Sequence, residues 1–455
     1  LKNKRELKSS VEFMYPTPTL WFEIGVAGIA GIALLWVKVE YALFLYAFAL
    51  GFPDFALPLG ATINLRADDV LLFVLLARTI FWRPALLSRG QKAIFTWQTI
   101  FLAVCVFSLA LESAPGSPPQ AYDAAKMVGC AAIFFVLPRV VQSETRLRFF
   151  VAGIMCAGLA LVIQVRQHLG ANGAAAANFQ QLKSAATFDT WNPNTIGQAA
   201  ILLVFAAGLG WIIFSGSLAN KILWPSLAAG FALVPAFVFV RGSTLSIAAG
   251  LGLFLCLLRR WKSLLVFAVF CLCAVLWLNA CQSQLLEEAS ALNVSTGEGF
   301  SHRFDRWDMA VEAIRSRPFT GHGFGQELAY LTQIGSEGRA HDDLLTVWLE
   351  LGLGGLVLFV TAIVQFVRAG CSLYKTSQFE RHGAAVLALT LALCLDSLGL
   401  PTLYWEKLPT IALSLAAALV GVCERSDFET AVKESRKASR ASLAQHSSRH
   451  ELFTV

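Results

Sequence analysis

Three basic side chains sit where their types and spacing invite chemistry on an anion. "VFVRGSTLS" places Arg241 between apolar runs at 222–240 and 243–258. "SHRFDRWDMAVEAIRSRPFTGHGFG" carries Arg303, and "AHDDLLTVWLELGLGG" puts His341 just ahead of another apolar run. Guanidinium groups make bidentate contacts to phosphate oxygens, so two arginines would suit a pyrophosphate. Histidine titrates near neutral pH and can act as a general base. Together they suit an anionic substrate and one proton transfer. No Walker loop, dinucleotide fingerprint, G-x-S-x-G or H-E-x-x-H occurs. The energy for a reaction would then lie in an activated leaving group on the substrate.

Each residue also has a plainer use. Arg241 can snorkel to a membrane interface. The Arg303 segment can be a surface-lying helix with ordinary basic residues. His341, Asp342 and Asp343 can form a helix-capping cluster. His302 and His322 are present, but no H-x-x-x-H or suitably spaced cysteine pair accompanies them, so no metal site is expected.

The elements that must position these residues follow from composition. Of 455 residues, 56% are hydrophobic and 15% charged, against about 25% charged in soluble domains. Apolar runs of about 20 residues recur, each long enough to span a bilayer as a helix. The strict alternation of a transmembrane barrel is missing. The pattern predicts an all-α integral membrane protein with spans near 20–37, 40–57, 69–82, 93–111, 124–138, 149–166, 195–214, 222–240, 243–258, 263–280, 343–367, 384–400 and 408–423. The first two read as one crossing, which gives about 12 transmembrane helices. The first run has no small-residue cleavage pattern after it and reads as a retained span.

Short basic loops fix the sides. Arg83, Arg89 and Lys92, then Arg139, Arg146 and Arg148, then Arg259, Arg260 and Lys262, then Arg368, Lys375 and Arg381 alternate with the spans and are assigned to the cytoplasm. The charge of +6 therefore reads as orientation and not as nucleic-acid binding. The expected organisation is a cytoplasmic N-terminus over 1–19, spans over 20–280, one large outer loop over 281–342, further spans over 343–423 and a disordered cytoplasmic tail over 424–455. The ten cysteines lie mostly inside apolar runs and read as core residues.

Once the sides are set, the three sites converge. Arg259 lies 18 residues beyond Arg241, a rise that crosses most of a bilayer. Arg241 is therefore expected at the outer end of two spans, not at mid-membrane. Gly242 permits a tight turn there, and Ser243 or Thr244 can cap the next helix. In the large loop, 303–314 reads as an amphipathic helix. Arg303, Trp307, Ala310 and Ile314 fall within about 60° at 100° per residue, and Arg306 sits nearer the polar side. Pro318 ends that helix. His341 begins the next span at the same outer face, with Glu350 deeper and on its opposite side.

These motifs resemble the O-antigen ligase and O-antigen polymerase superfamily of bacterial membrane glycosyltransferases. "VRGSTLS" is similar to the family's RG-small-small motif. Arg303, Trp307, Pro318, Gly321 and Gly323 match its R-x-x-x-W…P-x-x-G-x-G, and His341, Leu344, Glu350 and Gly352 match its HN-x-x-L…E-x-G. "NPNTIGQAA" around Asn194 resembles a recurrent element before a span. The resemblance covers about 190–360; the N-terminal spans fit by hydropathy only. Asp342 departs from the family's usual Asn.

The resemblance implies a glycosyltransferase C-like membrane fold whose large loop is periplasmic and carries amphipathic helices. It implies a multi-pass protein of the bacterial inner membrane that transfers a glycan from undecaprenyl pyrophosphate to a periplasmic acceptor hydroxyl, without metal or cofactor and with inversion. Arg241 and Arg303 would bind the pyrophosphate, and His341 would serve as general base or orient the acceptor. Asp342, Asn194, Arg306, Trp307 and Glu350 would support them. Partners would be the lipid-linked glycan and an acceptor glycan, either lipid A-core or another lipid-linked repeat. A ligase-type acceptor is slightly favoured. O-antigen or exopolysaccharide polymerase is the alternative, followed by a lipid-linked glycan transporter or a structural scaffold. A transporter would need charges along its path, for which Asp396 and Glu23 are the candidates.

Overall fold

The computed structural model describes residues 35–51, 56–58, 64–81, 87–111, 118–168, 193–214, 216–237, 240–269, 273, 300–336, 338–399, 402–404 and 406–451. The helices that build it are α1 (Val39–Ala49), α2 (Ala67–Phe81), α3 (Arg89–Leu111), α4 (Pro118–Val140), α5 (Glu144–His168), α6 (Pro193–Ile213), α7 (Leu218–Phe237) and α8 (Arg241–Leu257). They are followed by α9 (Phe300–Ser316), α10 (Glu327–Gln333), α11 (Asp343–Lys375), α12 (Glu380–Ser397) and α13 (Lys407–Glu451). One short antiparallel pair, β1 (Ala56–Pro58) and β2 (Asn64–Arg66), joins Leu57 to Leu65 in register.

Among the described residues, five helices are long and apolar enough to cross a membrane by length and composition, in α3, α5, α6, α11 and α13, and two shorter apolar helices lie in α1 and α8. The chain is a helical, multi-pass membrane protein. The N-terminal segment 1–19, the expected span over 20–37 up to residue 34, most of 270–280 and the loop residues 281–299 lie outside the described residues, as does Glu23.

The bundle is built by neighbours that share small residues. α6 is almost wholly buried and lies against α5, α7, α8, α12 and α13. Gly210 of α6 has the Trp224 ring of α7 where a Cβ would stand, at 2.1 Å. Gly153 of α5 lets the backbone of α1 approach, since a Cβ there would meet the Phe44 carbonyl oxygen at 2.5 Å. Close approach at small residues is how membrane helices gain packing energy when lipid is as apolar as their side chains. Several charges between helices are paired. Lys407 at the start of α13 bonds Asp68 and lies 2.7 Å from Asp69, both in α2, and Lys126 of α4 meets Glu406 at 2.5 Å.

Three expectations need correction. The run over 40–57 stops being helical at Ala49, with Gly51 and Pro53 following, and its end supplies β1. The span beginning at 343 is broken at Gly352, which has φ 68° and ψ −171°; only glycine occupies that region readily. The segment 424–451, expected as a disordered tail, continues α13 as helix. It contains neither Gly nor Pro, and half of its 28 residues are Ala, Lys, Glu or Arg, which lose little on entering a helix.

Gly153→Val is expected to push α1 and α5 apart and to destabilise the bundle by roughly 1–3 kcal/mol. Thermal unfolding in detergent should show a clear drop relative to the unsubstituted protein.

Candidate functional site

The site is built on a broken helix. At Gly352 the regular hydrogen bonding of α11 is interrupted, and the loop after α9 fills the gap with its own backbone. The His322 N–H donates to the Leu349 carbonyl and the Gly323 N–H to the Glu350 carbonyl, each at 2.8 Å. In return, Leu353 N–H and Trp348 Nε1–H donate to the Pro318 carbonyl at 2.9 and 3.0 Å. A Cβ on Gly321 would lie 2.3 Å from the Glu350 carbonyl oxygen, and one on Gly352 would lie 2.2 Å from the Phe319 carbonyl oxygen. The glycines of the two motifs therefore mark two backbones in direct contact, each satisfying polar groups of the other.

This clamp sets α9 over the start of α11. Trp307, Ala310, Ala313 and Ile314 pack against Leu331 of α10 and against Ala340 and Leu349. The stripe read from spacing is thus buried on protein. Trp307 Nε1–H donates to the Ala340 carbonyl at 3.0 Å, fixing the peptide that precedes His341. Arg315 and Arg317 are exposed. His322 is buried, its Nε2 3.0 Å from the Ala313 carbonyl and its ring against Tyr330.

His341 has φ 56°, the left-handed region that costs a residue with a Cβ about 1–2 kcal/mol. Its Nδ1 is buried with no hydrogen-bond partner among the described residues. Burial, followed by the charges of Arg306, Arg303 and Arg339, pushes its pKa down to about 4. The imidazole is therefore neutral at pH 7, with guanidinium groups around it.

Those groups differ in their pairing. Arg339 lies 2.8 Å from Asp123 and 3.8 Å from Glu327, which hold its pKa above the usual arginine value against the effect of burial. Arg303 and Arg306 have no carboxylate within ion-pair distance among the described residues. Burial, then the neighbouring Arg306, pushes Arg303 below its usual pKa. The Arg303 guanidinium lies against Gly399, 3.0 Å from the place of a Cβ there. Arg306 lies against Gly338 in the same way, at 3.5 Å.

The N-terminus of α8 reaches this region through Asp396. Arg241 is the first residue of α8, and no side chain caps that end. The helix starts earlier than its sequence suggests, so Ser243 and Thr244 lie within its first turn. Ser243 Oγ–H donates to Asp396 at 2.7 Å and Thr244 Oγ1–H to the Val240 carbonyl at 2.9 Å. Asp396 also accepts from Thr402 at 2.8 Å, and the Thr402 and Leu403 N–H groups donate to Asp343 at 3.0 and 2.6 Å. The start of α8, the end of α12 and the start of α11 are thus tied together, with Gly399 touching Arg303. Asn194 is exposed in the first turn of α6; three residues on, Gly197 packs on Ser243.

Two supporting residues are used in other ways. Asp342 is the N-cap of α11 and accepts from Leu345 N–H at 2.9 Å. Its carboxylate is turned to that cap, and burial raises its pKa. Glu350 is buried, accepting from Tyr404 Oη–H at 2.7 Å and from Glu327 N–H at 3.2 Å. Spacing did not single out Glu327, Arg339, Asp123 or Tyr404. Arg339, two residues before a histidine, carried a signal; Asp123, 216 residues away, carried none.

Residues 231–360 match the family model described as O-antigen ligase, which supports the superfamily resemblance read from the motifs. The match takes in Arg241, Arg303, His341 and Glu350 and leaves out Asn194. None of the curated proteins matches the chain.

Gly352→Ala is expected to lose folded protein, by on the order of 2–4 kcal/mol from backbone conformation and overlap together, measured as detergent-solubilised yield and unfolding temperature. The depressed pKa of His341 has a stability consequence. Unfolded, the imidazole binds a proton near its usual 6.5; folded, only near 4. Stability present above pH 6.5 is therefore lost as pH falls toward 4. The unfolding temperature of the unsubstituted protein should drop more steeply across that window than that of His341→Gln.

Proposed function

We propose that this chain is a membrane glycosyltransferase that moves a glycan from undecaprenyl pyrophosphate to an acceptor sugar hydroxyl, with its site at the periplasmic face of the inner membrane and about twelve crossings behind it. The family match gives the broad class of ligases and polymerases acting on lipid-linked glycans. The observation that carries the reading is an uncharged His341 beside Arg303 and Arg306, which have no carboxylate partner among the described residues, inside the matched segment.

In this reading Arg303 and Arg241 take the pyrophosphate, and Arg306 adds positive charge beside them. The acceptor hydroxyl attacks the anomeric carbon from the face opposite the pyrophosphate and gives its proton to the imidazole of His341. The bond from that carbon to the pyrophosphate oxygen breaks, and undecaprenyl pyrophosphate leaves with the electron pair, its charge met by the arginines. The configuration inverts. A base with a pKa near 4 is weak, but the donor's negative charge offsets Arg303 and Arg306 and raises it. No metal or cofactor is needed in this scheme.

A lipid A-core acceptor, making the chain a ligase, is slightly preferred; growth of another lipid-linked repeat would make it a polymerase. A transporter is disfavoured because Asp396, the described candidate for a charge along a path, bonds Ser243 and Thr402.

Purified protein should transfer glycan from a polyprenyl-pyrophosphate donor, with core modification marking a ligase and ladder growth a polymerase. His341→Ala is expected to lower transfer by about 10²–10⁴-fold, and Arg303→Ala or Arg241→Ala by about 10²–10³-fold. Full activity in both His341→Ala and Arg241→Ala would sink the assignment, as would abolition of transfer by chelator. The acid limb of kcat should lie above that of kcat/KM, because donor is bound only in the former.

A further inference from the structure

We infer that Glu327 is a positioning residue for His341, acting through the backbone on either side of it. The inference rests on the reading of His341 as the proton acceptor. Glu327 lies in the first turn of α10 and is 1% exposed. One of its oxygens accepts from the Ala340 N–H at 2.8 Å and from Thr346 Oγ1–H at 3.1 Å. The same atom thus ties the residue before His341 to the first turn of α11 beyond it. Its other oxygen faces the Arg339 guanidinium at 3.8 Å. Its own N–H donates to Glu350, which Tyr404 holds from the far side.

The geometry explains why such a tie is needed. A histidine in the left-handed region keeps that conformation only where its flanks are held. Ala340 is held at both ends of its backbone, the N–H by Glu327 and the carbonyl by Trp307. The carbonyl belongs to the peptide plane that sets φ of His341. The Asp342 cap holds the following side. Removing the Glu327 acceptor frees Ala340 and lets His341 relax to an ordinary conformation, which withdraws its imidazole from the acceptor hydroxyl. Glu327 does not touch substrate in this scheme. Its effect should therefore fall on kcat and depend on the imidazole being there.

The test uses the full chain in detergent or nanodiscs, with a polyprenyl-pyrophosphate glycan donor and both a lipid A-core and a lipid-linked acceptor. Glu327→Ala and Glu327→Gln are made in the unsubstituted and in the His341→Ala backgrounds. Glu327→Ala is expected to lower kcat about 30-fold or more, with donor KM within about twofold. Glu327→Gln, whose amide oxygen still accepts, should recover about tenfold of that loss. With His341→Ala present, Glu327→Ala should add less than about twofold. An equal loss in both backgrounds, a change in KM alone, or Gln no better than Ala overturns the inference and marks Glu327 as a packing residue. If Glu327→Ala does not fold, Glu327→Gln decides alone: its smaller loss must vanish without His341, and persistence overturns the inference. Full activity of His341→Ala by itself overturns the reading beneath it, and is distinguished from the other outcomes because it involves no change at Glu327.

Discussion

Two backbones touch at Gly321 and Gly352, and the rest of the site hangs from that contact. A helix interrupted in a membrane protein leaves polar groups that lipid cannot satisfy. Here the loop after α9 supplies donors to the Leu349 and Glu350 carbonyls and receives Leu353 N–H at Pro318. A side chain at either glycine would occupy the same space as the opposite main chain. The contact sets the height of α9 above α11. From there Trp307 reaches the Ala340 carbonyl, and His341 is held in a conformation it would not choose alone.

Charge around this frame is sorted by use. Arg339 is paired with Asp123 and faces Glu327, and the three serve the framework. Asp343 and Asp396 face N–H and hydroxyl donors of the loop after α12 and of α8. Arg303 and Arg306 are left without such partners, next to an imidazole that burial and their own fields keep uncharged. A cluster of this kind has an excess of positive potential and a vacant proton acceptor at one place. That combination suits a substrate that brings its own anionic leaving group.

Much of this was legible in the chain itself. Long apolar runs required a helical membrane protein, and basic loops placed Arg241 at a span end. The 100° periodicity put Trp307, Ala310 and Ile314 on one face, and they are packed together. Other features were silent for physical reasons. "LELGLGG" carries no proline and reads as continuous helix, because the break at Gly352 is stabilised by a distant loop. The pairing of Asp123 with Arg339 joins points 216 residues apart, and no local period reports such a contact. The role of Asp342 was ambiguous because a carboxylate beside a histidine can tune it or cap a helix, and only the geometry of Leu345 N–H separates the two. The polar composition after Glu424 suggested a loose tail, although its residue types favour helix when they continue one already formed.

That last helix has a mechanical consequence. α13 has 45 residues, and at 1.5 Å per residue it is about 68 Å long, roughly twice a hydrocarbon core of about 30 Å. Its first half is packed among α4, α6 and α3, so the second half is a stiff mast rooted in the bundle and not a tether. A twist applied along this mast is carried by continuous helix to Lys407 and its ion pairs with Asp68 and Asp69.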